Sequence, residues 1–183
     1  MSTISFKAKK HRTRLSGLLG IIFLIFARPD PGTLSLSVVF IILGESIRIW
    51  ASGYIHKNRE LTMTGPYSLS RNPLYVGSFF VGTGFIIAMG VPWLGMIFFV
   101  FFVLLYWFTV RWEEAKLERL FPDQWVAYFS RVPRAVPVLR WPGYRPGEFS
   151  WLQVKKNREL LNALAVMGVY AILWGKALWM AQQ

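Results

Sequence analysis

The chain has 183 residues, of which 54% are hydrophobic and 17% aromatic, and a formal net charge of +12; its mean hydropathy of +0.39 is more apolar than a soluble domain of this size requires. Cysteine is absent, which excludes disulfides, thiolate nucleophiles and Cys-ligated metals, and His11 and His56 lack metal-ligand spacing, so no metal is expected. The basic residues are not interleaved with a nucleic-acid module, whereas the positive-inside rule and anionic headgroups account for them, so the expected partners are membrane lipids and not nucleic acid.

In chain order, five apolar segments approach the roughly 20 residues a helix needs to cross a bilayer core: Leu15–Ala27, Leu34–Gly53, Leu74–Met89, Val91–Val110 and Leu160–Met180. They predict an all-α, polytopic membrane helical bundle forming a single domain over residues 1–183. The first segment is short and follows Lys7, Lys9, Lys10, Arg12 and Arg14, which also suits a signal peptide. Arg28-Pro29-Asp30-Pro31-Gly32 suits the turn of a helical hairpin better than a cleavage site, since proline stops a helix and glycine permits reversal.

Glu45 and Arg48, at i and i+3 within the second segment, are expected to pair structurally. The segment Leu61-Thr62-Met63-Thr64-Gly65-Pro66-Tyr67-Ser68-Leu69-Ser70-Arg71-Asn72-Pro73 then leads, polar and turn-rich, into the third apolar run. Asn is a favoured N-cap and Pro a favoured first helical residue, so Asn72-Pro73 predicts a helix start. Such a start also offers N–H groups and a positive dipole end to a carboxylate or phosphate.

After the fourth segment, Glu113-Glu114 continues the helix, and because successive residues point about 100° apart, only one of the pair faces the bundle. Residues 111–158 form a stretch holding ten basic residues, with Trp141, Tyr144, Phe149 and Trp151 suited to the headgroup layer as a lid or doorstep. The turn Met89-Gly90-Val91-Pro92 carries no charge. This asymmetry predicts a cytosolic N-terminus, in a bacterial inner membrane or its equivalent.

The run from Leu61 to Gly77, followed by Glu113-Glu114, Leu117, Leu120-Phe121-Pro122, Tyr128 and Val132-Pro133-Arg134-Ala135-Val136-Pro137, resembles the isoprenylcysteine carboxyl methyltransferase and phospholipid methyltransferase group of integral membrane enzymes, over roughly residues 44 to 137. The resemblance implies methyl transfer from S-adenosyl-L-methionine, entering from the cytosol, to a lipid or isoprenoid-type acceptor entering from the bilayer. It implies cofactor contacts from Arg59, Glu60, Leu61, Thr62, Tyr67, Asn72, Pro73, Leu74, Tyr75 and Glu113. Arg71, Arg111 and Glu114 are the candidate catalytic and acceptor-side residues, with Arg71 preferred to Arg111 for holding an acidic group.

Two positions depart from the family pattern. Asn72 stands where the family usually has His, and an amide cannot titrate, which excludes a proton shuttle there. Thr109 stands one turn before the Glu where isoprenylcysteine enzymes carry a substrate-associated Arg. The competing readings are a non-catalytic transporter or scaffold, for which polar midplane residues and repeated halves would be expected, and a sterol-type reductase of the wider superfamily, whose dinucleotide fingerprint the chain lacks.

Overall fold

The computed structural model describes residues 20–56, 59–135 and 145–183. Among them the regular elements are all helical: α1 (20–26), α2 (Pro31–Ser52), a 3₁₀ turn (Gly65–Ser68), α3 (Pro73–Ala88), α4 (Pro92–Leu120), α5 (Pro122–Arg131), α6 (Trp151–Lys156) and α7 (Glu159–Met180). The all-α membrane bundle expected from the sequence is what forms.

Helices α2, α4 and α7 are long and apolar enough to cross a membrane, whereas α3 has 16 residues. At 1.5 Å per residue α3 reaches only about 24 Å, short of the roughly 30 Å hydrocarbon core. The expected first span is described only from residue 20, its earlier part lying outside the described residues. The fourth expected span does not stop at Val110: α4 runs on to Leu120 without a break, so the Glu113-Glu114 pair belongs to the spanning helix itself.

Four helices begin with a proline, at Pro31, Pro73, Pro92 and Pro122, where the missing N–H costs nothing and the fixed φ suits the first turn. Asp30 adds a capping box to α2, its Oδ1 accepting from the N–H groups of Gly32 and Thr33 at 2.8 and 3.1 Å, while Thr33 Oγ1 accepts from Asp30 N–H. The helix-to-helix turn expected over Arg28–Gly32 forms, but it is shorter: Asp30 caps α2, and Pro31 and Gly32 lie in that helix's first turn instead of ending one.

Antiparallel α2 and α3 meet along small residues, as bilayer-buried helices do where lipid supplies no hydrophobic drive. A Cβ on Gly44 would lie 2.6 Å from Gly77 O, and one on Gly84 would lie 3.0 Å from Ser37 O. Helix α4 packs on α3 through rings, among them Phe79–Phe99 at 6.1 Å and Tyr75–Tyr106 at 5.4 Å. Helix α7 returns antiparallel to α2, with Tyr170 Oη donating to Leu34 O at 2.5 Å near one end and Arg48 meeting Glu159 near the other.

These contacts give the bundle two unlike ends. At one, Phe23, Ala27, Leu34, Ala88, Met89, Leu173 and Ala177 form a dry apolar cluster. Arg28 N–H donates to Met89 O at 2.7 Å, tying the α1–α2 turn to the α3–α4 turn. Gly90 between α3 and α4 has φ +67°, and a Cβ there would come within 2.1 Å of Arg28 O. At the opposite end gather the α2–α3 connection, α5, α6 and the long loops.

Candidate functional site

The α2–α3 connection folds onto the bundle because its turn residues are tied down one by one. Gly65 N–H donates to Arg145 O at 2.7 Å, Arg71 N–H donates to Pro133 O at 2.9 Å, and Ser70 Oγ donates to Ala135 O at 3.1 Å. Tyr128 of α5 donates its hydroxyl to Tyr67 O at 2.8 Å, and Leu61 packs with Trp125 and Tyr128. The polar segment thus becomes a fixed wall.

Behind that wall lies a cavity of about 340 Å³, bounded by α2, α3, α4, α5 and α7, within the roughly 300–1,000 Å³ of small-molecule sites. Of the residues implied by the sequence, Glu60, Leu61, Thr62, Tyr67, Arg71, Asn72, Leu74, Tyr75 and Glu113 line it. Pro73 is buried as the first residue of α3, outside the lining. Arg59 is exposed and away from the cavity. Arg111 is exposed too, its guanidinium 5.9 Å from the Trp107 ring, and is not brought to the cavity.

The acidic pair divides as helical geometry requires. Glu113 faces the cavity, while Glu114 is 5% exposed and enclosed by protein. Arg134 grips Glu114 Oε2 through Nε at 3.0 Å and Nη2 at 2.9 Å, and Asn72 Nδ2 donates to Oε1 at 3.2 Å. Arg71 Nη1 lies 3.4 Å from the same Oε1 as an ion pair without hydrogen-bond alignment, and its guanidinium covers Phe129 at 3.9 Å. Glu114 is consequently committed to holding two arginines and an amide.

This network corrects the reading of Asn72 as a capping side chain. Asn72 occupies the N-cap position of α3, but its side chain makes no cap; Nδ2 goes instead to Glu114 and to Arg134 O at 3.0 Å. The N–H groups of Tyr75 and Val76 bond to Asn72 O, so the helix start offers less free donor capacity than expected. The positive charge lining the cavity beside this helix start is that of Arg71.

Several lining polar atoms are buried without a hydrogen-bond partner: Tyr67 Oη, Thr62 Oγ1 and Arg71 Nε. Buried polar groups are normally satisfied, and each orphan costs roughly 1–3 kcal/mol. Their convergence on one cavity is what a polar ligand would relieve. Burial holds the Tyr67 hydroxyl well above its ordinary pKa, with Tyr128 next and the nearby carboxylates of Glu159 and Glu113 contributing. It is a neutral donor throughout the physiological range. Burial pulls Arg71 below its ordinary value and Glu114 pulls it back, leaving a cation.

Sequence reading left several participants out. Arg134 lay in the motif stretch without a role, and it supplies the strongest grip on Glu114. Asn157, Glu159 and Asn162 reach the cavity from the α6–α7 corner, for which a carboxylate at the foot of an apolar span is the available signal. The expected Glu45–Arg48 pair forms only at 3.9 Å, and the tighter partner of Arg48 is Glu159 at 2.5 Å. Of the expected interfacial aromatics, Trp141 and Tyr144 lie outside the described residues, as do Val136 and Pro137 of the motif. Phe149 packs edge-on to Tyr54 and Trp151.

The family model for phospholipid methyltransferases matches residues 31–124. The chain is 39% identical over 98 residues to the nickel-cobalt-cadmium resistance protein NccN of Alcaligenes xylosoxydans xylosoxydans, covering 50% of this chain and 44% of that protein. It is 32% identical over 133 residues to the cobalt-zinc-cadmium resistance protein CzcN of Cupriavidus metallidurans, covering 67% of this chain and 56% of that one. The chain thus spans about half the length of these relatives. No solved structure matches.

Proposed function

Because the chain belongs to the phospholipid methyltransferase family, we propose that it is a membrane enzyme transferring a methyl group from S-adenosyl-L-methionine to a lipidic acceptor, within the cavity lined by Tyr67, Tyr75, Arg71 and Glu113. The observation that carries this reading is the set of buried, unpartnered polar atoms converging on that cavity. S-adenosylmethionine supplies an electrophilic methyl on a sulfonium, together with a carboxylate, an ammonium and ribose hydroxyls. The residues present suit those groups. Arg71 offers a cation to a carboxylate, Tyr67 and Thr62 offer hydroxyls, Glu113 offers an acceptor, and the Tyr75–Tyr106 pair offers aromatic faces to positive charge.

The protein's contribution is positioning and electrostatics, because methyl transfer needs acceptor, carbon and sulfur nearly in line and no covalent enzyme intermediate. Glu114, itself held by Asn72 and Arg134, pairs with Arg71 and keeps it at the cavity. The Tyr67 wall and α7 keep water from the reacting centre, so that dispersal of charge in the transition state is favoured. The basic residues of the loops at this end, against uncharged Met89–Pro92 at the other, support a cytosolic cavity and N-terminus in a bacterial inner membrane or its equivalent. The acceptor enters from the bilayer. The relatives' names concern metal resistance, and an enzyme that methylates lipid fits such a setting by altering the bilayer surface that cations meet.

The test is transfer of labelled methyl groups from S-adenosylmethionine into solvent-extractable lipid by the purified protein in bilayers. Wild type and Trp93→Leu, altered at an exposed residue far from the cavity, should label lipid. Tyr75→Ala and Glu113→Ala should not. Equal labelling by all four proteins would remove the site from the reaction.

A further inference from the structure

The wall that closes the first cavity has another side. Against it lies a second cavity of about 460 Å³, reached by Ser68 of the 3₁₀ turn, by Gln124, Tyr128 and Arg131 of α5, and by Arg145. This volume also falls within the roughly 300–1,000 Å³ of small-molecule sites. Tyr128 lines both cavities, and the hydrogen bond from its hydroxyl to Tyr67 O at 2.8 Å lies in the wall between them.

Two separate parts of the chain bring an arginine to this cavity. Along α5, Gln124, Ala127 and Arg131 stand at i, i+3 and i+7 and so share the helix face that lines it, while Trp125 and Tyr128 are buried beside them. Arg145 is held by its backbone: its N–H donates to Ser68 Oγ at 3.1 Å, and its O accepts from Gly65 N–H at 2.7 Å. Ser68 Oγ in turn donates to Gly65 O at 2.6 Å. The clip therefore fixes Arg145 against the wall without using its guanidinium.

Charge sets this cavity apart from the first. There, Arg48 meets Glu159, and Arg71 and Arg134 meet Glu114. No acidic residue lines the second cavity, and among the described residues neither Arg131 nor Arg145 takes part in an ion pair. Two guanidinium cations on one concave surface without a counter-charge repel each other and attract an anion, and the planar fork of each suits phosphate oxygens. We propose that the second cavity is a binding site for a phosphoryl group, with Arg131 and Arg145 donating to its oxygens and the Gln124 amide adding a neutral donor. One such group would join α5 to the Arg145 segment and brace the wall from behind, apart from the cavity assigned to methyl transfer. An anionic lipid headgroup and a free phosphate present the same oxygens.

Purified protein in non-ionic detergent is titrated calorimetrically with inorganic phosphate and with short-chain phosphatidic acid, chloride keeping the ionic strength constant so that general screening does not vary. Wild type should bind at least one probe saturably. Arg131→Gln and Arg145→Gln should each weaken that binding about tenfold. Arg119→Gln, which removes the same charge from an exposed residue outside both cavities, should leave it within about twofold. Both test positions are exposed, and Arg145→Gln keeps the backbone clip, so each variant without ligand should unfold at the wild-type midpoint. Binding of inorganic phosphate, with or without the lipid, supports the site and assigns it to a free phosphate-sized anion; binding of phosphatidic acid alone supports it and assigns it to a headgroup. Binding of neither probe overturns the proposal. So does binding that Arg131→Gln and Arg145→Gln leave unchanged, or that Arg119→Gln weakens equally, which would reduce the effect to net charge. The titration contains no cofactor, so its outcome stands apart from the methyltransferase reading.

Discussion

The two ends of this bundle bury side chains for different purposes. At the α1–α2 turn, Ala27, Leu34, Ala88, Met89 and Leu173 pack with 0–1% exposure and no polar atom among their side chains, so the gain there is dispersion and fit. At the loop end, Glu114, Asn72, Tyr67 and Glu159 are buried to nearly the same degree. Their polar groups are in part satisfied by one another and in part by nothing. An end that stabilises itself completely can do no more than hold the fold, whereas an end that leaves donors and acceptors unsatisfied around a cavity has capacity for a ligand.

That contrast can be broken most severely at Glu114. Glu114→Ala would leave Arg71 and Arg134 close together without their shared carboxylate, and we expect a loss of roughly 3 kcal/mol, read as denaturant unfolding in detergent, together with loss of cofactor binding. Cutting the other end should separate the two properties. Leu173→Ala, at a fully buried position, should cost about 2–3 kcal/mol while cofactor affinity, measured below the unfolding transition, is retained; a parallel fall in affinity would mean that the ends are coupled.

Asp30→Ala removes the α2 cap and should cost about 1 kcal/mol. Hydrogen bonds from Thr33 hold the Asp30 carboxyl below its ordinary 3.8. Its contribution is thus complete above that value and declines as pH falls through the lower folded value, so wild type and Asp30→Ala should converge in stability in acid. The smallest effect on stability, and the sharpest on function, belongs to Tyr67→Phe. Its hydroxyl has no partner, so the variant should be as stable as wild type or slightly more so, yet bind cofactor more weakly by about 1 kcal/mol.

The helices were legible because apolar length is a local signal and Pro73 marks the start of α3, whereas Pro31 and Pro92, expected within turns, prove to be first residues of helices as well. Asn72 was legible only in position. Its side chain's destination depends on Glu114, 42 residues away in sequence, and no local rule chooses between capping and a distant carboxylate. Arg134 and Glu159 were missed for the same reason, since their meaning comes from partners on other helices. Arg111 and Arg59 are the opposite case, charges near the motif that helix phase and exposure leave outside the cavity.

Whether the loop-end cavity receives S-adenosylmethionine is read from equilibrium binding of the labelled cofactor to detergent-purified protein, with wild type, Leu173→Ala and Glu113→Ala compared at a temperature where all three are folded. Saturable binding by wild type and Leu173→Ala, lost in Glu113→Ala, is the result expected; no binding by wild type, or binding indifferent to Glu113, would contradict the cofactor's placement there.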